Sequence, residues 1–347
     1  MTVATNTELA DLAENVFGSA TAAGATAAGA TADTGFDAPL WATLEETGLA
    51  RLTLPADVGG SDASFADAAV VLSAAGAHAA RVPLVETDLL AGWLLQAAEI
   101  PLPAGPLTLA VGDLDVARTV RRAAGVLHRV PWARSVAGIV VLAGDHALLI
   151  DPADTTITDG ANLAEEPRDL VLVDGPVIAS SIEEHVGTQL RLRAALGRTQ
   201  LLAGALRSAL ASAVRYAGER EQFGRPIGRF QAVQQQLALA AAEVAAASAA
   251  AQAAARAADA DGVLGAELPI AMAKARASEA AGIVARIAHQ VHGAIGFTRE
   301  HDLRLTTTRL WAWRDEDGSE AQWHDTVGAA ALAAGPDGLW PLITGAP

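Results

Sequence analysis

The second half of this chain is built almost entirely from residues that favour helices, and this constrains its fold more than any other feature. From about Gln189 onward, alanine, leucine, glutamate, glutamine and arginine predominate, and these residues have the highest helix propensities. The pattern breaks only at residues 224–230 and 293–297, and residues 234–258 form one nearly uninterrupted helical run. The sequence therefore predicts that the chain ends in a helical bundle.

Apolar segments of a different kind lie in the middle of the chain. Between about Pro101 and Val186, short runs rich in β-branched residues are bounded by glycine, proline and aspartate; these runs are residues 107–111, 136–142, 147–150 and 170–173. They predict a small β-barrel-like domain between two helical regions. Strands and helices do not alternate along the chain, which excludes a doubly wound parallel sheet.

The N-terminal region again has helical spacing, with apolar residues at Leu40, Trp41 and Leu44. Before it, a low-complexity stretch at residues 19–33 predicts a flexible connection between short helices. The sequence thus predicts a mainly α protein with a small β domain. We place its boundaries at an N-terminal helical domain (1–100), a middle β domain (101–187) and a C-terminal four-helix bundle (188–347).

Composition limits the possible partners and chemistry. The net charge of −16 and the pI near 4.8 repel polyphosphate, so nucleic acid and anionic membranes are poor partners. The chain has no cysteine, so any redox chemistry requires a cofactor. His289 and His292 are three residues apart without a carboxylate motif, and we predict no metal site. The N-terminus has no secretion signal and no uninterrupted apolar run is long enough to span a bilayer, which predicts a cytoplasmic protein.

Two motifs occupy the breaks in the helical pattern. The first runs from Arg220 to Gln231 and reads Arg-Glu-Gln-Phe-Gly-Arg-Pro-Ile-Gly-Arg-Phe-Gln; the second runs from Gln290 to Thr298 and reads Gln-Val-His-Gly-Ala-Ile-Gly-Phe-Thr. The planar fork of an arginine suits phosphate oxygens, and glycines let main-chain N–H groups approach an anion. In this order and spacing, the two motifs resemble the flavin contacts of the acyl-CoA dehydrogenase family.

This resemblance implies the acyl-CoA dehydrogenase fold, FAD as cofactor and α,β-desaturation of an acyl-CoA thioester, with an electron-transfer flavoprotein or similar electron acceptor. In the family the first motif is donated across a subunit interface to a flavin held mainly by a neighbouring chain. The implied contacts with the diphosphate and adenosine are Arg220, Gln222, Phe223 and Gln231 in the first motif and Gln290, Gly293, Ala294 and Gly296 in the second. Ala294 replaces the family's second glycine, which is tolerable if its φ is negative.

The catalytic glutamate of the family has an imperfect counterpart in this chain. Counting without gaps from the second motif places Asp317 at the position of that base, and a shift by one residue places Glu316 there. The carboxylate of an aspartate is drawn back by one methylene, about 1.5 Å. We therefore expect that Asp317 is not the general base of the assembled enzyme. The alternative interpretation is that Asp315, Glu316, Asp317 and Glu320 form a solvated acidic turn.

Motifs that surround the isoalloxazine ring in catalytic family members are missing. Neither a Thr-Glu-Pro-x-Ala-Gly-Ser-Asp loop nor a Lys-x-Trp-Ile-Ser/Thr strand occurs, and the closest segment is residues 125–134. The tail around residues 309–323 also resembles the short subunits of heteromeric acyl-CoA dehydrogenases of actinobacterial steroid side-chain degradation. The resemblance thus implies a heterotetramer, in which this chain contributes adenosine-diphosphate contacts and a longer acyl-CoA dehydrogenase subunit supplies the base and ring pocket.

Three alternatives follow from the same residues. The chain could be a self-sufficient homotetramer that uses Asp317 or Glu316 as the base. It could be a flavin-dependent monooxygenase of the same fold, which a separate reductase rather than an acyl-CoA would reduce. It could also be a non-catalytic structural subunit, although the retained Arg220 motif argues against this.

Overall fold

The computed structural model describes residues 3–27, 35–117, 121–298 and 301–344 of the chain. The N-terminal helical elements are α1 (Val3–Ala27), α2 (Ala38–Glu46), a 3₁₀ turn (Ala56–Val58), α3 (Phe65–Ala77), a π-helical segment (Val85–Gly92) and α4 (Trp93–Ala97). Side-chain caps fix two of the helix starts. Asp37 accepts a hydrogen bond from the Leu40 N–H at 3.1 Å before α2, and Ser64 forms a capping box with Asp67 before α3.

The predicted flexible connection at residues 19–33 is wrong for its first part. The α1 helix continues through Ala27, and the remaining residues 28–33 lie outside the described ranges. Alanine has the highest helix propensity, and it occupies enough of this stretch to outweigh the scattered glycines and threonines.

Two four-stranded sheets form the middle of the molecule. Their strands are β1 (Leu107–Val111), β2 (Asp115–Ala117), β3 (Arg122–Pro131), β4 (Gly138–Ala143), β5 (His146–Ile150), β6 (Thr155–Thr158), β7 (Arg168–Pro176) and β8 (Ile178–Ser181), with 3₁₀ turns at Ala133–Ser135 and Pro152–Asp154. One sheet has the order β1-β4-β5-β8 and the other β2-β3-β7-β6. Among the strand pairs of these two sheets that the described residues form, β1–β4 alone is parallel.

Strand β4 connects the core of the β domain with that of the N-terminal helices. All six of its residues are buried. Because side chains alternate along a strand, Ile139 and Val141 pack among the β-domain residues, whereas Val140 and Leu142 pack with the helical core that includes Leu94. The β domain is therefore firmly attached to the helices that precede it.

The C-terminal part is a helical bundle, as the sequence predicts. Its elements are α5 (Val186–Glu219), the hairpin strands β9 (Glu221–Gln222) and β10 (Arg225–Pro226), a 3₁₀ turn (Ile227–Arg229), α6 (Gln231–Gly265), α7 (Glu267–His292), a second 3₁₀ turn (Gly293–Phe297), α8 (Leu303–Trp313) and α9 (Glu320–Thr344). Alanines such as Ala209, Ala247 and Ala281 fill the contacts between α5, α6 and α7. The predicted mainly α fold with a small β domain is confirmed.

Helix α6 alone, among the described residues, has the length and composition of a possible membrane span. The mean hydropathy of its most apolar window is 1.4, and 28% of that window is buried. The high mean hydropathy comes from the many alanines of α6, although each alanine side chain has little apolar surface. The same helix packs against α5 and α7 in the bundle, and core helices of this kind also reach such a hydropathy.

Candidate functional site

The first predicted motif forms a tight hairpin at the end of α5. Arg220 ends the helix with an extended backbone, and its carbonyl accepts a hydrogen bond from the Ile227 N–H at 2.8 Å. Phe223 and Gly224 form the turn between β9 and β10 with φ values of 52° and 76°. Positive φ at both central residues is the signature of the hairpin turn that matches strand twist. The side chain of Phe223 is consequently held outward and is 91% exposed.

The polar side chains of this motif are available to a ligand. Arg220, Gln222 and Gln231 are exposed, and the described part of the chain provides no ion pair or side-chain hydrogen bond for Arg220. The neighbouring Arg225 is different, because its guanidinium lies 4.4 Å from the ring centroid of Phe230. The five donors of Arg220 can therefore reach an anion outside this chain.

The second motif turns sharply where α7 ends. Gly293 has φ 64° and ψ −145°, a backbone that favours glycine, and a Cβ at this position would face open space. Gln290 and Ala294 are exposed beside it, whereas Gly296 is buried against His292. The φ of Ala294 is not positive, so the alanine in place of the family's glycine causes no strain.

Aromatic stacking joins the two motifs. Tyr216, one turn before Arg220, stacks on His292 with ring centroids 4.5 Å apart, and His292 immediately precedes Gly293. Burial lowers the pKa of His292, which suits a packing role for the neutral ring. His301 packs edge-on against the same imidazole at 4.8 Å. The structure therefore brings both motifs to one end of the bundle.

Chemically, this surface fits the adenosine-diphosphate half of FAD. It offers the unpaired guanidinium of Arg220, three exposed amide side chains (Gln222, Gln231 and Gln290) and glycine main chain facing open space. These groups are the donors that bind phosphate oxygens in proteins. No group of metal-ligating side chains occurs among the described residues.

The predicted base positions lie in a different environment. Asp317 is in the α8–α9 loop with φ 57°, and its carboxylate accepts a hydrogen bond from Nε of Arg198 at 2.8 Å. Arg198 belongs to α5 and is 4% exposed. Despite burial, the nearby Asp317, Glu316 and Glu86 raise the pKa of Arg198 further, so its charge is permanent. The predicted solvated acidic turn is thus wrong at Asp317, whose half-buried carboxylate pairs with the buried guanidinium of Arg198.

Glu316 is paired even more strongly. Its carboxylate accepts hydrogen bonds from Arg168 Nε at 2.9 Å, from Arg168 Nη2 at 2.6 Å and from Asn162 Nδ2 at 3.0 Å. Burial acts to raise its pKa, but Arg168 and Arg198 outweigh burial and lower the pKa of Glu316 to about 2. The side chain is consequently an anion fixed between arginines.

These residues belong to a larger group that we call the buried ion cluster. It contains four carboxylates and three guanidiniums, from Glu86, Glu166, Arg168, Arg198, Arg309, Glu316 and Asp317. Glu166 also accepts a hydrogen bond from the Trp313 indole N–H at 2.9 Å. The cluster ties the π-helical segment, β7, α5, α8 and the α8–α9 loop together.

Little space remains beside the cluster. The cavity there measures about 20 Å³ and is lined by Glu86, Trp132, Arg198 and Trp313, among others. Such a volume holds about one water molecule. It is far too small for an acyl chain or for an isoalloxazine ring. The residues of this chain therefore fit the diphosphate half of FAD but do not fit its ring.

Residues 125–134, the segment closest in sequence to the missing flavin loop, help to fill the space beside the buried ion cluster. Strand β3 has a register shift between Leu127 and Val130, which places Arg129 in a bulge with its guanidinium 4.0 Å from Glu316. Trp132 follows with φ 55°, is 3% exposed and lines the small cavity. This segment thus packs against the ion cluster.

Sequence patterns did not reveal several residues that shape this site. Arg168, Arg198, Glu86 and Lys274 were not predicted. Lys274, the only lysine of the chain, is fully buried and donates hydrogen bonds to the carbonyls of Arg314 at 3.0 Å and Gly318 at 2.9 Å. The available sequence signal was a charged residue within an otherwise apolar helical face. Such a residue indicates a buried, paired charge, because charged residues are rarely buried unless paired.

Comparisons with known proteins agree with the sequence motifs. Residues 6–99 match the family model "Acyl-CoA dehydrogenase, N-terminal domain", and residues 191–331 match "Acyl-CoA dehydrogenase, C-terminal domain". The acyl-CoA dehydrogenase IpdE2 of Mycobacterium tuberculosis is 32% identical over 299 residues, which cover 79% of this chain and 80% of that protein. IpdE2 of Mycolicibacterium smegmatis is 31% identical over 284 residues, with 79% and 81% covered.

Solved structures share the whole fold. The ChsE4–ChsE5 complex from Mycobacterium tuberculosis matches with a TM-score of 0.87 and 24% identity, covering 97% of this chain and 99% of that one. A variant of the steroid ACAD Tcur3481–Tcur3483 matches with a TM-score of 0.81 and 25% identity, covering 95% and 99%.

Proposed function

Because this chain belongs to the acyl-CoA dehydrogenase family, we propose that it is one subunit of a heteromeric FAD-dependent acyl-CoA dehydrogenase. The reaction is the desaturation of an acyl-CoA thioester between Cα and Cβ. When bound, FAD supplies the acceptor for the hydride that leaves Cβ. A longer acyl-CoA dehydrogenase subunit supplies the base and the pocket for the flavin ring, and the assembly is a heterotetramer.

One contrast carries this proposal. The diphosphate-binding groups of this chain, headed by Arg220, are exposed and unpaired, whereas the space where its own substrate would lie is filled by the buried ion cluster. A general base works best with a pKa near the operating pH. Glu316, with a pKa of about 2, and Asp317, paired with Arg198, are both unsuited to that task.

The roles that we propose for this chain's residues are therefore binding and orientation. Arg220 holds the diphosphate through charge-assisted hydrogen bonds. Gln222, Gln231 and Gln290 donate amide hydrogen bonds nearby, and Phe223 covers an apolar face of the nucleotide. The open backbone at Gly293 and Ala294, supported by buried Gly296, lets N–H groups approach the adenosine diphosphate.

The substrate proposal rests on similarity. The matched structure that is described as a steroid ACAD is 25% identical to this chain over 95% of its length. We therefore propose a CoA thioester of a steroid side chain as the substrate class. An electron-transfer flavoprotein or similar carrier is the proposed electron acceptor. Flavin reduction by the acyl-CoA, without a separate reductase, would distinguish this function from that of a monooxygenase.

Flavin stoichiometry tests whether this chain and the longer subunit supply different parts of one flavin site. We expect the chain purified alone to be colourless or weakly coloured, and the complex with the product of an adjacent acyl-CoA dehydrogenase gene to hold one FAD per heterodimer. Arg220→Ala should weaken FAD retention in that complex about ten- to a hundredfold, because a hydrogen bond to a charged group contributes about 1.5–3 kcal/mol. A homomer that carries one FAD per chain and reduces it with an acyl-CoA would refute the proposal.

A further inference from the structure

A second cavity lies on the other side of α5 from the buried ion cluster. Its volume is about 350 Å³, and residues of α1, α3, α5 and α6 line it. The α5 residues that line it are Gln200, Ala203 and Arg207. At 3.6 residues per turn, these positions are about opposite Arg198 on the helix. The cavity therefore does not share its lining with the closed substrate space.

The floor of this cavity is apolar and built from small side chains. Helices α3 and α6 each contribute residues at helical spacing, among them Ala66, Ala69, Ala251 and Ala255. Alanine side chains keep the backbones close but leave room above them. Binding pockets for small molecules have volumes of about 300–1,000 Å³ and mostly apolar walls. This cavity has a volume in that range, and its lining combines the alanines with polar side chains such as Gln200 and Arg207.

The rim of the cavity carries positive charge. Arg207 donates a hydrogen bond to Ser73 Oγ at 2.7 Å, and Arg256 has no ion pair among the described residues. The carboxylate at the rim, Glu14, already accepts from His78 at 2.7 Å. Two guanidiniums and one carboxylate thus line the opening, and because the charge of Glu14 also acts on Arg207, Arg256 is the guanidinium left for an added anion. Such an opening attracts an anion.

One buried polar atom in the cavity wall lacks a partner. The hydroxyl of Ser248 has no hydrogen bond in the described ranges. Nearby, Gln200 is 3% exposed, and its Nε2 donates to the Ala251 carbonyl at 2.9 Å. Buried polar groups are normally hydrogen-bonded, so an unsatisfied hydroxyl at a cavity points to a bound molecule.

We propose that this cavity binds a carboxylic acid with an apolar body. The carboxylate lies at the rim between Arg207 and Arg256, because a guanidinium fork matches a carboxylate in geometry and charge. The apolar body lies on the alanine floor, and Gln200 and Ser248 bind a polar group or water at its end. This site does not depend on the proposed function, since none of its residues contributes to the flavin contacts.

Calorimetric titration of the full-length chain with decanoate tests the proposal. We expect saturable binding with one site per chain. Arg256→Ala should weaken it by at least about tenfold, since a charge-assisted contact is lost. Ala66→Phe should abolish it, because Ala66 is half-buried at the cavity and a larger side chain can enter that space. Decanol, which has the same chain without the charge, should bind at least about tenfold more weakly.

A matched variant separates this site from the flavin contacts. Arg220→Ala removes an exposed, unpaired arginine elsewhere and should leave decanoate binding unchanged, whereas Arg256→Ala should leave FAD retention of the heteromer unchanged. Circular dichroism should show all variants folded. Absence of saturable decanoate binding by the wild-type chain would overturn the proposal, as would equal binding by wild type and Arg256→Ala or equal binding of decanol and decanoate.

Discussion

Arg198 fixes the charge and orientation of Glu316 and Asp317, the two carboxylates at the predicted base positions. It reaches Asp317 through Nε at 2.8 Å and Glu86 through Nη2 at 3.2 Å, and its own side chain is 5% exposed. Burial raises the pKa of Glu86 and outweighs the opposite effect of the Arg198 charge. Arg198 therefore acts mainly on the carboxylates of the α8–α9 loop, Glu316 and Asp317. A carboxylate held by a buried guanidinium is oriented and already paired, which opposes proton abstraction from a substrate.

For this reason Asp317→Asn should leave the dehydrogenation rate of the assembled enzyme within a few-fold of wild type. Loss of a positioned general base typically costs about a hundred- to ten-thousandfold. Steady-state turnover of an acyl-CoA by flavin-loaded heteromer measures the effect, with assembly checked by gel filtration. If Asp317→Asn abolished turnover in an intact, flavin-loaded complex, this chain would be the catalytic subunit.

Glu316 should make stability sensitive to acid. Its pKa in the folded protein is about 2, below the ordinary value of 4.5, so its contribution is present above pH 4.5 and is lost as pH falls toward 2. The contribution is up to about 3 kcal/mol over the whole window. Urea unfolding at pH 5 and at pH 3 measures it. Glu316→Gln should be less stable at pH 5 and lose less on acidification; an identical pH dependence in both proteins would contradict the assignment.

At the level of elements, Lys274 connects α7 to the α8–α9 loop. Its ammonium donates to Arg314 O and Gly318 O, on either side of Glu316 and Asp317, and to Ser278 Oγ at 3.2 Å. Burial lowers the pKa of Lys274 to about 8. The loop between two helices is thus fixed from within the bundle.

Lys274→Met should release the loop while the bundle stays folded. The Arg314 carbonyl keeps its hydrogen bond from Ser278 Oγ, but the Gly318 carbonyl loses the lysine donor. A carbonyl left without its donor costs about 1–3 kcal/mol, so hydrogen exchange at residues 314–319 should accelerate by about ten- to a hundredfold. Amides of α5 should keep their protection. Arg286→Ala, an exposed change on the same helix, is the matched control and should alter neither region. Unchanged exchange in the loop of Lys274→Met would show that the lysine does not hold it.

Elements and motifs were predictable because their signals are local. Helix-forming composition predicted the bundle, β-branched runs predicted the strands, and the breaks at Arg220 and Gly293 predicted the two turns at the ends of α5 and α7. The ion cluster was not predictable, because it joins Glu86, Arg168 and Glu316 from segments far apart in the chain. In the sequence, the acidic stretch around Asp317 resembles a solvated turn. In the structure, α5 places Arg198 beside it.

The whole molecule leaves apolar side chains exposed where we expect a partner. Phe223 is 91% and Phe297 69% exposed within the two motifs proposed to bind flavin, and in α9 Leu332 is 85% and Trp340 71% exposed. Scattered exposed apolar residues are ordinary, but large aromatic side chains beside unpaired polar donors are typical of interfaces. The proposed heteromer would cover them.

Accordingly, Trp340→Asp should weaken assembly with the longer subunit. A buried interface tryptophan commonly contributes about 2 kcal/mol or more, which is roughly a thirtyfold loss of affinity. Analytical ultracentrifugation of the mixed subunits measures it, and flavin content should fall with assembly because the diphosphate contacts leave with this chain. Leu163→Asp is the matched control, since Leu163 is 61% exposed on the β domain and lies in neither motif nor in α9. If Trp340→Asp assembled like wild type and kept its flavin, the partner would not cover α9, and the heteromer would have to form through another surface.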